Sequence, residues 1–373
     1  MFALAACGNI SDSQKVAHDI ITAPTVGYMS DDAYSLYPGM LYDIMKLDSD
    51  EKMQILDTNG SKLLINVYSN YKEDDPNFLE EGYNAITKKI AIFDLETNTI
   101  NATYFFQNKY CSDAIFQKNC IVCVILSPGF LTDYKIIKVN DESTQEITMG
   151  NCYANEFDDP HLAKLGDASF AYSYSNEGSA TNNFGVNIVS LQNKIVHQVS
   201  LEDDGKTEHL RTTLQGDGIR YAYYTAIKGK GTIIIGDQTE ILYQFELPTS
   251  ERVYDFCLLD KYILFSMEDV KNDISVQKII VKDLSGKTIT ENNCSALFHL
   301  ESNGIDAALG TDLKYQIYNV QFTDDNIILY KMDFPVEPAL FYSLDANKFL
   351  LHYNYNSDPE NLRCVVLEFI KFT

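Results

Sequence analysis

The segment Phe256-Cys-Leu-Leu-Asp260, followed after one residue by Tyr262-Ile-Leu-Phe-Ser266, contains the pattern that decides the fold. Two short apolar stretches flank a turn centred on Asp260. Stretches of this length that are rich in Ile, Leu and aromatic residues are typical of β-strands. Asp, Asn and Gly tolerate the backbone angles of tight turns between such strands. The segment therefore predicts a β-hairpin.

The same hairpin pattern recurs seven times along the chain. The turns are centred on Asn59, Asn119, Gly166, Asp217, Asp260, Asn303 and Asp345. Their spacing, roughly 42 to 60 residues, corresponds to one blade of a β-propeller. Further strand-like stretches follow each hairpin, so each unit reads as a four-stranded meander. The sequence predicts an all-β, seven-bladed β-propeller of four-stranded antiparallel blades.

Other architectures stay open at this point. Six or eight blades fit if some turn positions differ, and an open β-solenoid or a pair of β-sandwiches also consists of short strands. A fixed four-strand period favours the propeller, because sandwiches lack such a period and solenoids use shorter ones.

The last unit predicts how the ring closes. Residues 364–370 form its third strand, and no fourth strand follows before Thr373. Residues 40–47 form a strand-like stretch that belongs to no other unit. Adding this stretch to the seventh blade would remove an exposed sheet edge. We therefore expect the N-terminal strand to complete the last blade.

Charge argues against two classes of partner, nucleic acids and anionic membranes. The chain has 29 basic and 53 acidic residues, a net charge of −24. Nucleic-acid binding requires a basic surface that displaces phosphate counterions, and an anionic membrane would repel this protein. The acidity either keeps the protein soluble or attracts a cationic ligand, such as Ca²⁺ or a basic partner.

The N-terminus contains a targeting-like segment, Leu4-Ala-Ala-Cys7, which matches a lipobox. A small-residue site after an apolar run is typical of signal-peptide ends, so Cys7 is the predicted lipidation site. Residues 1–24 are predicted as a lipoprotein-like N-terminus and flexible tether, and residues 25–373 as a single propeller domain. Only six residues, all apolar, precede Cys7, so we expect the true start upstream. The alternative to a lipoprotein is that Ala-Ala-Cys occurs here by chance and that the protein is a cytosolic scaffold.

Together, the repeat and the lipobox resemble those of bacterial β-propeller lipoproteins over residues from about 40 to 373. The resemblance implies a monomer outside the cytoplasm, anchored to the bacterial cell membrane only through its lipid. The chain has no Trp, so it lacks the Trp-based WD40 and sialidase Asp-box signatures.

Two segments are candidate ligand-binding sites. The first is the long acidic loop 71–83, with Glu73, Asp74, Asp75, Phe78 and Tyr83. Long loops in compact domains are often functional. The second contains Glu156, Asp158, Asp159 and His161, which could hold Ca²⁺ or a transition metal. Both segments could equally be solvated surface turns, and no cofactor other than weakly bound Ca²⁺ is expected.

These observations favour a non-enzymatic binding or scaffold propeller that recognises a protein, peptide or glycan through one loop face. The alternative is a secreted carbohydrate-active hydrolase or lyase that uses carboxylates at the central channel. The chain contains no Gly-x-Ser-x-Gly motif, and His299 and His352 lie in strand patterns that predict packed side chains. The eight cysteines are predicted to be mostly buried thiols.

Overall fold

The computed structural model describes most of the chain between Ile20 and Glu368. The described residues are 20–22, 41–43, 47–48, 50–75, 78, 84–106, 109–118, 120–126, 132–139, 144–147, 153–154, 161–176, 182–190, 192, 194–203, 211–227, 229–271, 274–294, 299–302, 307–311, 316–322, 327–333, 340–345, 348–354 and 362–368. The regular elements in them are β-strands. None of these residues belongs to a helix long and apolar enough to cross a membrane.

The strands follow one another in short meanders. The first two are β1 (Ile20–Thr22) and β2 (Leu41–Asp43). Four sheets come next: β3 (Lys52–Asn59), β4 (Lys62–Asn70), β5 (Ala85–Asp94) and β6 (Thr99–Tyr104); β7 (Tyr110–Gln117), β8 (Cys120–Leu126), β9 (Thr132–Val139) and β10 (Thr144–Ile147), with β11 (Tyr153–Ala154) beside β9; β12 (Leu162–Leu165), β13 (Ser169–Asn176), β14 (Asn182–Ser190) and β15 (Ile195–Asp203); β16 (Arg211–Gly216), β17 (Tyr221–Ile227), β18 (Lys230–Gly236) and β19 (Ile241–Glu246).

Three further sheets complete the described chain. They are β20 (Glu251–Leu258), β21 (Tyr262–Lys271), β22 (Ile274–Asp283) and β23 (Thr288–Cys294); β24 (His299–Ser302), β25 (Ala307–Thr311), β26 (Gln316–Phe322) and β27 (Ile327–Asp333); β28 (Leu340–Asp345), β29 (Lys348–Asn354) and β30 (Leu362–Glu368). The chain divides into two compact units, one of residues 46–244 and the other of the remaining residues.

All seven predicted hairpins form. The pairs β3–β4, β7–β8, β12–β13, β16–β17, β20–β21, β24–β25 and β28–β29 are antiparallel. Gly166 occupies its predicted turn with φ of 64°, an angle that disfavours other residues. Asn119 and Asn303 lie outside the described residues. The prediction of an all-β protein of four-stranded antiparallel sheets is confirmed.

Two N-terminal strands join the later sheets. β2 pairs antiparallel with β30, placing Tyr42 opposite Cys364. β1 pairs parallel with β27, placing Ile21 opposite Tyr330, and sequence reasoning had placed this segment within the tether. The domain boundary predicted near residue 25 stays a prediction.

Apolar layers lie between consecutive sheets of each unit. In β8, alternate side chains belong to two layers: Ile121 and Cys123 pack towards the first sheet, whereas Val122 and Val124 pack towards the third. A strand buried on both faces needs a continuous apolar run instead of alternation. This explains why Cys120–Leu126 contains only apolar residues.

Candidate functional site

The acidic loop 71–83 joins β4 to β5. The N–H of Tyr71 donates to the carbonyl of Asn84 at 2.8 Å, which closes its base. Within the loop, Asp75 N–H donates to the Lys72 carbonyl and Phe78 N–H donates to the Asp75 carbonyl, each at 2.9 Å. These two hydrogen bonds define the turns of the described residues 71–75 and 78.

The loop presents carboxylates and aromatic rings together. Glu73 and Asp74 are exposed, and Tyr71, Asp75 and Phe78 are partly exposed. Burial and the nearby Asp75 carboxylate both raise the pKa of the Tyr71 phenol, so the ring stays protonated near neutral pH. We call these five residues the acidic–aromatic loop.

A buried threonine fixes the sheet edge beneath this loop. The N–H of Thr87 in β5 donates to the Lys109 carbonyl at 2.9 Å. Its hydroxyl accepts the N–H of Cys111 at 2.8 Å. The loop is thus connected to the segment that leads into the second sheet.

Two tyrosines meet at the same edge. The rings of Tyr68 and Tyr110 form an edge-to-face pair with centroids 5.6 Å apart. The hydroxyl of Tyr110 donates to Gln54 Oε1 at 3.2 Å. Such aromatic pairs add interaction energy beyond their buried area, so this pair stabilises the strands that flank the loop.

The second predicted cluster is described only at His161. Its N–H donates to the Ser173 hydroxyl at 2.9 Å, and its carbonyl accepts the Ser173 N–H at 3.0 Å. Tyr83, Glu156, Asp158, Asp159 and Cys7 lie outside the described residues. In the part of the chain that the structure describes, no three His, Cys, Asp or Glu side chains converge on a metal-sized site.

Sequence reasoning missed a set of carboxylates that link consecutive sheets. Asp57 Oδ2 accepts the N–H of Phe116 at 2.7 Å, Asp113 Oδ2 accepts that of Leu162 at 2.8 Å, and Asp255 Oδ2 accepts that of Leu300 at 2.9 Å. Each carboxylate lies in the first strand of its sheet, and each N–H in the first strand of the next. We call Asp57, Asp113 and Asp255 the seam carboxylates.

A β-bulge positions each seam carboxylate. The pairing register of the first strand slips between Ile55 and Asp57, between Cys111 and Asp113, and between Val253 and Asp255. A bulge inserts one extra residue and bends the strand. The bend directs the following Asp towards the neighbouring sheet. The sequence gives no signal for these residues, because an Asp within the first strand of each sheet reads as an ordinary strand residue.

The Asp57 carboxyl has a strongly raised pKa. Burial raises the pKa of its carboxyl from 3.8 to about 6, although the N–H groups of Phe116 and Thr58 and the charge of Lys164 act in the opposite direction. Part of the residue reaches solvent, but protein atoms surround the carboxyl group. The two short hydrogen bonds, both 2.7 Å, only partly offset the cost of burying the charge.

His299 differs from its sequence prediction. A packed side chain was expected, but the imidazole is 48% exposed. It lies beside Leu300, and its Nε2 atom is 3.0 Å from the hydroxyl of Tyr254. Position in a strand did not predict burial, because His299 is the first residue of β24.

The prediction of buried thiols is confirmed for Cys111, Cys123 and Cys257, whereas Cys120 and Cys294 are only partly buried. Cysteines 111, 120, 123, 257 and 294 form no disulfide, and Cys111, Cys123 and Cys257 are buried. Burial, followed by the neighbouring Cys123 thiol, raises the pKa of Cys111. A buried protonated thiol is a poor nucleophile, so Cys111 behaves as a core residue.

No protein-family model matches the chain, and no curated protein matches its sequence. Solved structures do match. A chain from the crystal structure of the mitotic checkpoint complex has a TM-score of 0.52 at 9% sequence identity, covering 89% of this chain and 95% of that chain. The structure of the Dos1 propeller also has a TM-score of 0.52 at 9% identity, with 89% and 97% covered.

A third match is the Cps50 (Swd1) β-propeller domain of Myceliophteria thermophila. Its TM-score is 0.50 at 12% identity, and the alignment covers 89% of this chain and all of that domain. At such low identity the likeness concerns the fold alone. The protein therefore has a β-propeller fold built from four-stranded antiparallel sheets.

Proposed function

We propose that this protein is a binding propeller that recognises a basic segment of a partner protein or peptide through the acidic–aromatic loop. The observation that carries the proposal is the joint exposure of Glu73 and Asp74 beside the partly exposed Tyr71 and Phe78. Carboxylates attract Lys and Arg, and aromatic rings bind both their alkyl stems and their cationic heads.

Two further observations support this function. The chain carries a net charge of −24, which accelerates encounter with a cationic partner. The first structural match is a chain of a multiprotein complex by its description, which fits a scaffold role for this fold.

The experiment compares charge-matched variants. Glu73→Gln combined with Asp74→Asn and Asp75→Asn removes three charges from the loop. The control, Glu96→Gln with Asp167→Asn and Asp260→Asn, removes three charges from hairpin turns at the opposite strand ends. A peptide array and a glycan array are probed with the three proteins. We expect basic peptides to bind the wild type and the control, and to lose at least about tenfold in affinity with the loop variant. Equal loss in both variants, or binding to glycans alone, would refute the proposal.

The proposal includes a closed ring of seven blades in which β2 completes the last blade. The register that places Tyr42 opposite Cys364 supports it. Tyr42→Cys is expected to form a disulfide with Cys364 under mild oxidation, detected by peptide mass spectrometry. Asp43→Cys, one position away in the register, serves as the control. A crosslink in the control alone would contradict this closure.

We also propose that the protein is a monomer anchored outside the bacterial cytoplasm through a lipid on Cys7. The lipobox-like Leu4-Ala-Ala-Cys7 supports this location. Mass spectrometry of protein from bacterial membranes should find a diacylglyceryl group on Cys7. Cys7→Ser should move the protein out of the membrane fraction, and an unchanged distribution would refute the anchor.

A further inference from the structure

Three polar side chains meet at the seam between β20 and β24. The Tyr254 hydroxyl lies 3.0 Å from His299 Nε2, and the two ring centroids are 5.2 Å apart. On the other side of the imidazole, Nδ1 lies 3.9 Å from Asp255 Oδ2. The imidazole thus lies between the phenol and the carboxylate.

The backbone holds the Asp255 carboxylate in place. Asp255 Oδ1 accepts the N–H of Phe256 at 2.8 Å, and Oδ2 accepts the N–H of Leu300 at 2.9 Å. His299 directly precedes Leu300, so the bond that joins the two sheets also sets the distance from imidazole to carboxylate. Tyr254 is the bulged residue of β20.

The arrangement of Tyr254, His299 and Asp255 is similar to that of a nucleophile activated by a neighbouring base. The Asp255 carboxylate lies 3.9 Å from Nδ1, beyond hydrogen-bond distance. Its negative charge favours a proton on Nδ1, which leaves Nε2 to accept the phenol proton. A nucleophile within hydrogen-bond reach of a base, with the base oriented by a third group, is the diagnostic geometry. We propose that Tyr254 is a nucleophilic tyrosine that accepts acyl groups from activated esters, with His299 as general base and Asp255 as the positioning residue.

The proposed step balances as follows. The Tyr254 oxygen attacks the acyl carbon of an aryl ester while His299 Nε2 takes the phenol proton. The bond between the acyl carbon and the aryl oxygen breaks, and the imidazolium returns that proton to the leaving group. Tyr254 then carries an acyl ester, which water hydrolyses to a carboxylic acid and the free phenol.

The chain contains an internal counterpart without this chemistry. At the seam formed by Asp113 and Leu162, the bulged residue is Ser112, and His161 precedes Leu162. The imidazole there has no phenol at the position equivalent to Tyr254. The seam at Asp113 forms without a phenol. The seam at Asp255 therefore does not require the phenol of Tyr254 for its own structure.

Access supports a reactive role. The His299 side chain is 48% exposed, and Tyr254 is partly exposed. A small ester can reach the phenol from solvent. This activity is independent of the proposed binding function, because the acidic–aromatic loop contributes none of the three residues.

The test uses p-nitrophenyl acetate and the full chain. We expect a burst of p-nitrophenolate and one acetyl group on Tyr254, found by peptide mass spectrometry. Tyr254→Phe should abolish the burst. His299→Asn should slow it by at least about tenfold. Tyr243→Phe, which alters another exposed tyrosine, should react like the wild type.

Three outcomes would overturn the proposal. One is acetylation of Tyr254 no faster than that of Tyr243. Another is a burst that survives in Tyr254→Phe but not in His299→Asn, which would make His299 the nucleophile. The third is a Tyr254 rate that does not depend on His299. Circular dichroism of each variant verifies folding, so that a lost burst reports on chemistry.

Discussion

Two seams of this propeller use one backbone device for different purposes. Asp113 binds the N–H of Leu162, and Asp255 binds the N–H of Leu300. In both seams a His precedes the Leu. Two neighbouring positions differ. At the Asp113 seam the bulged residue is Ser112 and the residue opposite the His is Ser173. At the Asp255 seam these positions hold Tyr254 and Gly310.

The difference determines what each His can do. Ser173 binds the main chain of His161 through both its hydroxyl and its N–H, which locks the start of β12. Gly310 offers no hydroxyl, and Tyr254 supplies a hydrogen bond to the His299 ring instead. One seam is therefore built for rigidity, whereas the other presents an accessible imidazole. Repetition provides the scaffold, and single substitutions within the repeat create sites.

The seam at Asp57 gives the largest expected effect on stability, through its dependence on pH. Because burial raises the pKa of Asp57 to about 6, the folded state binds the proton more tightly than the unfolded chain does. Protonation of Asp57 therefore stabilises the folded state. This contribution to the free energy of unfolding is complete below about pH 4 and is lost as pH rises to about 6, a change of at most about 3 kcal/mol. Urea denaturation followed by circular dichroism from pH 4 to pH 7 measures it. Asp57→Asn should remove this component, and Asp167→Asn in an exposed turn should not.

Removing the carboxylate of Asp113 or Asp255 should reduce stability by less than the pH-dependent change expected at Asp57. Asp113→Ala leaves the Leu162 N–H without its acceptor, and we expect a loss of about 2 kcal/mol in the free energy of unfolding. Asp255→Ala should give a loss of similar size, because the hydrogen bond is equivalent. The comparison of the two seams fails if one variant unfolds the protein and the other changes nothing.

Ser173→Ala tests the rigid seam alone. The hydroxyl that accepts the His161 N–H is buried, so its loss should destabilise by about 1 kcal/mol. Hydrogen exchange at the His161 amide should accelerate at the same time. Unchanged exchange there would mean that Ser173 does not lock the strand.

Ser112→Ala gives the smallest effect, with the opposite sign. The Ser112 hydroxyl is buried without a hydrogen-bond partner among the described residues. Removing an unsatisfied polar atom should leave stability unchanged or raise it by about 0.5 kcal/mol. A clear loss in thermal melting would show that the serine has a role at this seam.

Sequence reasoning predicted the repeat because each hairpin is local. Strands such as Tyr262–Lys271 and their turns are specified by residues a few positions apart. The acidic loop was also predictable, since its length and composition stand out from the other connections. Leu41–Asp43 pairs with Leu362–Glu368, but closure of a seven-bladed ring by this strand stays a proposal.

The seam carboxylates and the Tyr254–His299 pair could not be predicted in the same way. Each depends on residues 45 to 59 positions apart that belong to different sheets. In addition, a one-residue bulge changes the face to which every later side chain points. Such a slip is not visible in the apolar pattern of β20, so Asp255 could be read as an ordinary strand residue.

By itself, then, the sequence determined the local elements: seven hairpins, their turns and an acidic surface. Strand propensity, turn chemistry and net charge depend on residue type and short-range order. Only the tertiary structure decided which polar groups face one another, because packing sheet against sheet converts distant positions into neighbours. His299 is an example of both effects. Its position in a strand follows from the local sequence, whereas its partners Tyr254 and Asp255 come from another sheet.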